Sequence, residues 1–398
     1  MTEANTAWRV AVVGSGPAAF YTAEALFKSG VEGVSVDLFD RLPVPFGLVR
    51  GGVAPDHQKI KSVVKVYDKI AANPGFRFFG NVCLGRDIQV EDLNAHYHQV
   101  VYAFGCESDT KLGIDGEDLN GVYAATDFVG WYNCHPDHRN HEFDLANAKR
   151  VALVGNGNVA MDVARILLAS PDELAKTDIA EHSLETLRKS TVEEVILLGR
   201  RGPAQAAFSP KEIAEIAALS GVDVVVSKQD AQLDELSAAW LEKDGARSQH
   251  RNVEFCTAQA ELGEGDQAKK LRCRFLVSPT TLQGEDGKLT GVTVEHMKLQ
   301  ADDSGTPRPR ATGTSEEVKV DLLFKAIGYR GEPVAGVPFE ERKGIVPNVG
   351  GRVVEQVGGP ERVGHYAAGW CKRGPTGLIG TNSLDAKDTV VAMKADHA

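Results

Sequence analysis

Two stretches of this chain repeat one pattern, and few folds can house it twice. The first is Arg9-Val-Ala-Val-Val-Gly14-Ser-Gly16-Pro-Ala-Ala19, followed by helical periodicity to about residue 30 and an apolar strand over 34–39. The second is Arg150-Val-Ala-Leu-Val-Gly155-Asn156-Gly157-Asn158-Val159-Ala160, followed by a helix over 161–169 and, after an insertion, a strand over 195–198. Each reads as strand, glycine-rich turn, helix, strand, the opening of a doubly wound dinucleotide-binding fold. Glycines let the backbone approach a pyrophosphate, and the helix behind them offers unpaired N–H groups and the positive end of its dipole. One such turn is weak evidence for a ligand. Two of them, each between a strand and a helix, predict two bound dinucleotides.

The end of each second strand distinguishes the ligands. Val36-Asp37-Leu38-Phe39-Asp40 closes on a carboxylate that can accept hydrogen bonds from both hydroxyls of an unphosphorylated ribose, which suits FAD or NAD. Leu198-Gly199-Arg200-Arg201 closes on two guanidiniums and no acid, which suits a 2′-phosphate and hence NADP(H); a solvated surface pair is the plainer reading of the same residues. The separation between Gly155 and Arg200 is unusually long, and a helical insertion over 170–190 takes up the excess.

At 398 residues, with 42% hydrophobic and 25% charged positions, the chain has the length and mix of a two- or three-domain globular protein. Its net charge of −11 argues against nucleic acid as a partner. The six cysteines are scattered without a CxxC pair, which leaves no zinc knuckle, no redox dithiol and no iron–sulfur ligand run, and no metal is expected. Glu3 and the lack of a basic stretch before Trp8 argue against a leader peptide, and no apolar run is long enough to span a bilayer; a cytoplasmic protein is expected. An amphipathic helix is predicted over 56–71 and a strand over 98–103. The polar region 229–314 reads as meandering sheet and loops with no chemistry of its own. A chain binding both FAD and NADPH but carrying no dithiol must pass its electrons to an external acceptor.

Further motifs sharpen this. Arg41-Leu-Pro-Val-Pro-Phe-Gly47-Leu48-Val49-Arg50 runs on to Pro55-Asp56-His57; Gly199-Arg200-Arg201-Gly202-Pro203 runs on to Phe208-Ser-Pro-Lys-Glu212; Ile327-Gly328-Tyr329-Arg330-Gly331 precedes Gly369-Trp370-Cys-Lys-Arg373-Gly374-Pro-Thr-Gly377-Leu378-Ile379-Gly380-Thr381-Asn382. Together, from about residue 8 to 391, they resemble the adrenodoxin-reductase-type NADPH–ferredoxin reductases, bacterial members included. The resemblance implies an α/β fold with two Rossmann-like domains, the NADP domain inserted into a discontinuous FAD domain: FAD over 1–106 and 329–398, NADP over 107–328.

It further implies FAD contacts at Ala19, Asp40 (usually Glu in the family), Leu48, Val82, Trp370 and Gly377, Leu378 and Ile379, beside the turn glycines Gly14 and Gly16. NADP contacts fall on Gly155, Asn156, Gly157, Asn158, Val159, Arg200, Arg201, Glu212 and Gly377. A family arginine aligns with Thr110, next to Lys111. His57 and Glu212 match the family's active-site pair, although each is equally readable as an ordinary residue in the first turn of a helix. The implied reaction is hydride transfer from NADPH to FAD across an interdomain cleft, then single electrons to an acidic iron–sulfur ferredoxin, with Lys372, Arg373 and basic residues of the NADP domain as candidates for a basic docking patch. An NADPH diaphorase or quinone reductase, or a non-catalytic FAD/NADP-binding redox sensor, is the alternative. A monomer is expected, and the chain stops sooner after the Gly-Thr-Asn segment than family members typically do.

Overall fold

Arg9–Val13 and Arg150–Val154 are apolar on both faces, and each becomes an interior strand of a parallel sheet in the computed structural model, which describes residues 8–397. The expectation about the N-terminal leader lies largely on residues 1–7, outside the described residues. The chain divides into two units: one comprises the stretch ending at Val53, His57–Ser108 and the stretch from Gly328 onward, the other Ala54–Asp56 and Asp109–Ile327.

In the first unit the parallel strands lie in the order Glu361–Ala367, Gln99–Tyr102, Arg9–Val13, Ser35–Asp40, Phe76–Gly80, with the small strands Arg352–Val354 and Asn348–Val349 added antiparallel at one edge. The pleat separates two cores. Val10 and Val12 pack with Phe20, Leu26 and Tyr67, whereas Ala11 and Val13 pack with Leu93, Val100 and Val353. The predicted helix over 56–71 forms as two pieces, Gln58–Lys61 and Val64–Ala71, with a turn between them.

One buried group of this unit makes stability pH-dependent. His365 is 4% exposed, its Nδ1 lies 3.0 Å from the Tyr102 hydroxyl, and burial, aided by Arg362, pushes its pKa down to about 4. The unfolded chain therefore takes up a proton near 6.5 that the folded chain refuses until about pH 4. Stability present above 6.5 is lost as pH falls through that window, by about 3 kcal/mol in all. Urea unfolding of His365→Gln is expected to show a flatter dependence between pH 6.5 and 4 than the parent.

In the second unit six parallel strands run in the order Val122–Ala124, Leu322–Lys325, Arg150–Val154, Glu194–Gly199, Lys269–Phe275, Val222–Val226. The insertion is helical, as expected, with Pro171–Leu174 and Glu181–Leu187. The region 229–314 departs from expectation. Lys269–Phe275 is a strand of the parallel sheet, not of a meander, and it is preceded by the helices Glu235–Asp244 and Arg247–Leu262. The long helix escapes pattern reading because it buries only Asn252, Cys256 and Ala260, a stripe one residue wide with little apolar surface. The genuine meander comes later, as the antiparallel strands Val277–Glu285, Lys288–Ala301 and Pro307–Lys319. Val277, Val292, Val294 and Val318 of this sheet cover Ala152, Val154, Ile196 and Leu198, the face that a doubly wound fold ordinarily covers with helices.

Candidate functional site

The two glycine-rich turns are built alike. Gly14 (φ 109°) and Gly155 (φ 120°) occupy the left-handed region, and a Cβ on either would run into a carbonyl oxygen, Ala103 O or Ala326 O respectively. The helices behind them, Pro17–Phe27 and Asn158–Leu168, start at Gly16 and Gly157 without any side-chain cap. Four other helices of the second unit are capped by the side chains of Ser170, Ser209, Ser227 and Asp234. These two ends, whose N-cap glycines carry no side chain, thus have no side-chain cap on their first N–H groups. Ala19 is fully buried in the core, so what it can offer a ligand is its backbone N–H.

Around the first turn, Asp40 ends its strand and accepts from Ser15 Oγ at 2.5 Å and Leu42 N at 2.8 Å. These bonds fix the carboxylate while leaving lone pairs on both oxygens. The loop after it folds back onto the turn: Phe46 N donates to Ser15 O at 2.9 Å, and a Cβ on Gly47 would lie 2.9 Å from Gly16 Cα. Leu48 then opens the short helix Leu48–Gly51, and Val82 N donates to Asp40 O at 2.9 Å. These residues surround one turn. Trp370 is half-buried, with its indole N–H on Thr376 O at 3.1 Å and its ring 5.4 Å from that of Tyr329. Gly377 and Leu378 are exposed, the latter at 71%, while Ile379 packs partly against the core.

Lys372 and Arg373 do not form an exposed basic patch. Lys372 Nζ lies 2.9 Å from Asp385 and 3.0 Å from Thr389 Oγ1, and Arg373 bonds Asn382 Oδ1 at 3.0 Å. Their side chains are only 13% and 23% exposed, and their charge is spent inside the unit against Asp385.

Around the second turn, Asn156 accepts at its carbonyl from Ala207 and Phe208, but its side-chain Nδ2 is buried without a hydrogen-bond partner. An orphaned donor beside a pyrophosphate-type turn fits a bound nucleotide. Asn158 Oδ1 accepts from Ser209 N at 2.8 Å, Val159 is half-buried at the helix start, and a Cβ on Gly157 would meet nothing within 4 Å. Arg200 is exposed and Arg201 half-buried, and among the described residues neither has an ion-pair partner. Burial, with Arg200 and Arg308 nearby, pulls the Arg201 guanidinium below its ordinary range. Arg308 comes from the antiparallel sheet that sequence reading had left without chemistry. Arg308 is itself paired with Asp302 at 2.8 Å, so the charge left without an ion-pair partner is that of Arg200 and Arg201, which favours an anion of high charge. Thr110 is half-buried and Lys111 exposed; the adjoining Asp109 is tied, with Glu117, to Lys325 at 2.9 and 2.8 Å.

Glu212 is 6% exposed in the first turn of Pro210–Ala217, whose start Ser209 caps. Its carboxylate accepts from Arg165 Nη1 at 2.9 Å, and the same guanidinium binds Asp56 at 2.5 Å and Asp162 at 2.7 Å. The N-cap position of the next helix, Gln58–Lys61, is His57, itself buried. Burial alone would lower the Arg165 pKa, but Asp56 and Asp162 hold it above the ordinary value. Arg165 is the residue that sequence reading missed. Its signal was a charged residue in the otherwise apolar run Val163 to Leu168.

All six cysteines are free, and burial pushes the thiols of Cys106, Cys256 and Cys371 up to about 12, which makes them unreactive.

A family model described as pyridine nucleotide-disulphide oxidoreductase matches residues 8–229. NADPH-ferredoxin reductase FprA of Mycobacterium tuberculosis is 46% identical over 388 residues, 96% of this chain and 82% of that protein. The chain belongs to the NADPH–ferredoxin reductase family. Within this reductase family, the mitochondrial NADPH:adrenodoxin oxidoreductase of Arabidopsis thaliana is 41% identical over 395 residues, covering 97% of this chain and 82% of that one. The structure of M. tuberculosis FprA in complex with NADPH superposes with a TM-score of 0.92 at 44% identity, over 98% of this chain and 84% of the other. Both doubly wound sheets and the insertion of one unit into the other are thus family features.

Proposed function

We propose that the first unit holds FAD and the second NADPH, and that the protein is an NADPH–ferredoxin reductase in which each strand-end residue selects its ligand. The unpaired Arg200–Arg201 end of the second Rossmann unit, set against the Asp40 end of the first, carries this reading. When bound, FAD supplies the chemistry that accepts a hydride from NADPH and releases electrons singly to ferredoxin. The chain's own residues bind and orient. Asp40 takes a ribose hydroxyl, the N–H groups at Ala19 and at Asn158–Val159 face the pyrophosphates, and Leu48, Val82, Trp370 and the Gly377–Leu378–Ile379 turn border the flavin. Glu212, held by Arg165, would meet the nicotinamide carboxamide of bound NADPH, and His57 is the other member of the active-site pair that the family resemblance implies.

The ferredoxin is expected to be acidic and the protein a cytoplasmic monomer. No helix among the described residues is long and apolar enough to cross a membrane. Since Lys372 and Arg373 are internally paired, an acidic partner is expected to use other basic side chains, and its reduction to weaken as salt rises.

Anaerobic mixing of the flavin-loaded protein with NADPH, then NADH, tests the reading. Rapid bleaching of the flavin with NADPH, slow bleaching with NADH, and saturable reduction of a ferredoxin are expected. Flavin that stays oxidised with NADPH would overturn it in favour of a sensor, and efficient turnover of quinones without ferredoxin in favour of a diaphorase.

The two glycines of the second turn separate packing from ligand approach. Gly155→Ala is expected to lower stability by about 2 kcal/mol or more, because the strained φ and the Ala326 carbonyl leave no room. Gly157→Ala is expected to leave thermal stability within about 0.5 kcal/mol while weakening NADPH binding about tenfold, since its Cβ enters open space that the bound pyrophosphate would need. Thermal melts of the nucleotide-free protein and NADPH titrations read the two effects apart.

A further inference from the structure

The helix Ala125–Tyr132 places Asp127 in its first turn, and the segment after it carries His135, His138 and His141 at intervals of three. His138 N donates to His135 O at 3.0 Å and His141 N to His138 O at 3.1 Å. Successive bonds of this i to i+3 kind bring residues three apart onto one side of the chain. The rings accordingly follow one another, His135 to His138 at 5.1 Å and His138 to His141 at 5.5 Å between centroids. His138 Nδ1 lies 3.3 Å, and His141 Nε2 3.9 Å, from the same Asp127 Oδ1, and one ligand atom from each of the three lies within 4.8 Å of the others.

We propose that Asp127, His138 and His141 form a binding site for one divalent transition-metal cation of the zinc type, outside the dinucleotide sites and independent of the reductase reading. Zinc takes imidazole nitrogen and carboxylate oxygen at about 2.0–2.2 Å, which sets ligand atoms roughly 3.0–3.6 Å apart around a shared ion. The observed separations need only small side-chain shifts to meet that. Two imidazoles and one carboxylate favour zinc, cobalt or nickel over magnesium and calcium, which require mostly oxygen donors. Side-chain exposures of 27% for Asp127, 24% for His138 and 36% for His141 leave the group partly open to solvent.

Two further observations describe how the His138 ring is held. His138 Nδ1 is buried, with Asp127 Oδ1 beside it at 3.3 Å. The ring is also seated against Gly130, where a Cβ would lie 2.7 Å from His138 Cγ. Glycine inside a helix costs about 0.5–1 kcal/mol relative to alanine, and here it makes space for that imidazole. An ion would clamp the 135–141 segment to the helix that supplies Phe128, Trp131 and Tyr132 to the core beneath Met161 and Ala164 of the nucleotide-turn helix.

The test is zinc titration by calorimetry of flavin-loaded protein previously stripped with a chelator. About one zinc per chain is expected, with a rise in melting temperature on addition of zinc but not magnesium. His138→Gln combined with His141→Gln is expected to lower zinc affinity at least tenfold, and Asp127→Asn to lower it less. Because His138 is packed, the more exposed His141→Gln alone decides the matter should the double variant fold poorly; its flavin reduction by NADPH is expected to be unchanged. Absence of binding in the parent, or equal binding in parent and His141→Gln, overturns the proposal.

Discussion

Replacing Arg200 and Arg201 together by alanine is expected to raise the KM for NADPH about 100-fold while changing that for NADH less than about threefold. A hydrogen bond to a charged group contributes about 1.5–3 kcal/mol, and two guanidiniums on one 2′-phosphate share such bonds. Loss of about 3 kcal/mol corresponds to a factor of about 100. The loss should fall on NADPH alone, because the two side chains have no ion-pair partner among the described residues to release. Burial of Arg201 beside Arg200 and Arg308 also means that the free protein holds this charge at a disadvantage that the phosphate relieves. Steady-state kinetics with both nucleotides, monitored through the flavin, check this. An equal decline with NADPH and NADH would show that the pair supports the fold rather than reading the phosphate.

Arg165→Met is expected to cost about 3–5 kcal/mol of stability, the range for stripping the partner from buried charge. Arg165 is 2% exposed and is the common partner of Asp56, Asp162 and Glu212. Without it, Asp56, Asp162 and Glu212 lose the guanidinium that they share. Arg165→Lys keeps the charge but not the planar fork that reaches several carboxylates at once, so an intermediate loss is expected. Chemical denaturation followed by far-UV circular dichroism measures the ordering, parent above lysine above methionine. A methionine variant as stable as the parent would mean that the remaining interactions of the three acids suffice to hold them or that they take up protons. The variant retaining most structure should also reduce its flavin more slowly with NADPH, because Glu212 loses the bond that fixes its carboxylate.

What could be read from the chain alone was whatever depends on neighbours in sequence. The strands Arg9–Val13 and Arg150–Val154, their glycine turns and the helices behind them form where expected, since apolar runs, left-handed glycines and helix starts are local properties. The positions of Asp40 and Arg200 at the ends of second strands follow from the same reading, as does the helical insertion. Composition added that the cysteines form no CxxC pair.

Tertiary structure decided everything that depends on partners distant in sequence. Lys269–Phe275 looked like one strand of a meander, and only its pairing with Glu194–Gly199 and Val222–Val226 places it in the parallel sheet. Arg247–Leu262 is a helix although its buried stripe is too polar and too narrow to register as amphipathic. Lys372 and Arg373 looked free until Asp385 closed on them. That Asp56, Asp162 and Glu212 converge on Arg165, and that Arg308 approaches Arg201, likewise could not be read from spacing. Hydrophobic periodicity records which face of an element is buried, but not which charged side chain from another element meets it there. A charge's partner is set by the packing of whole elements, and in this chain the packing gathers three acids on Arg165 and leaves Arg200 and Arg201 without an ion-pair partner among the described residues.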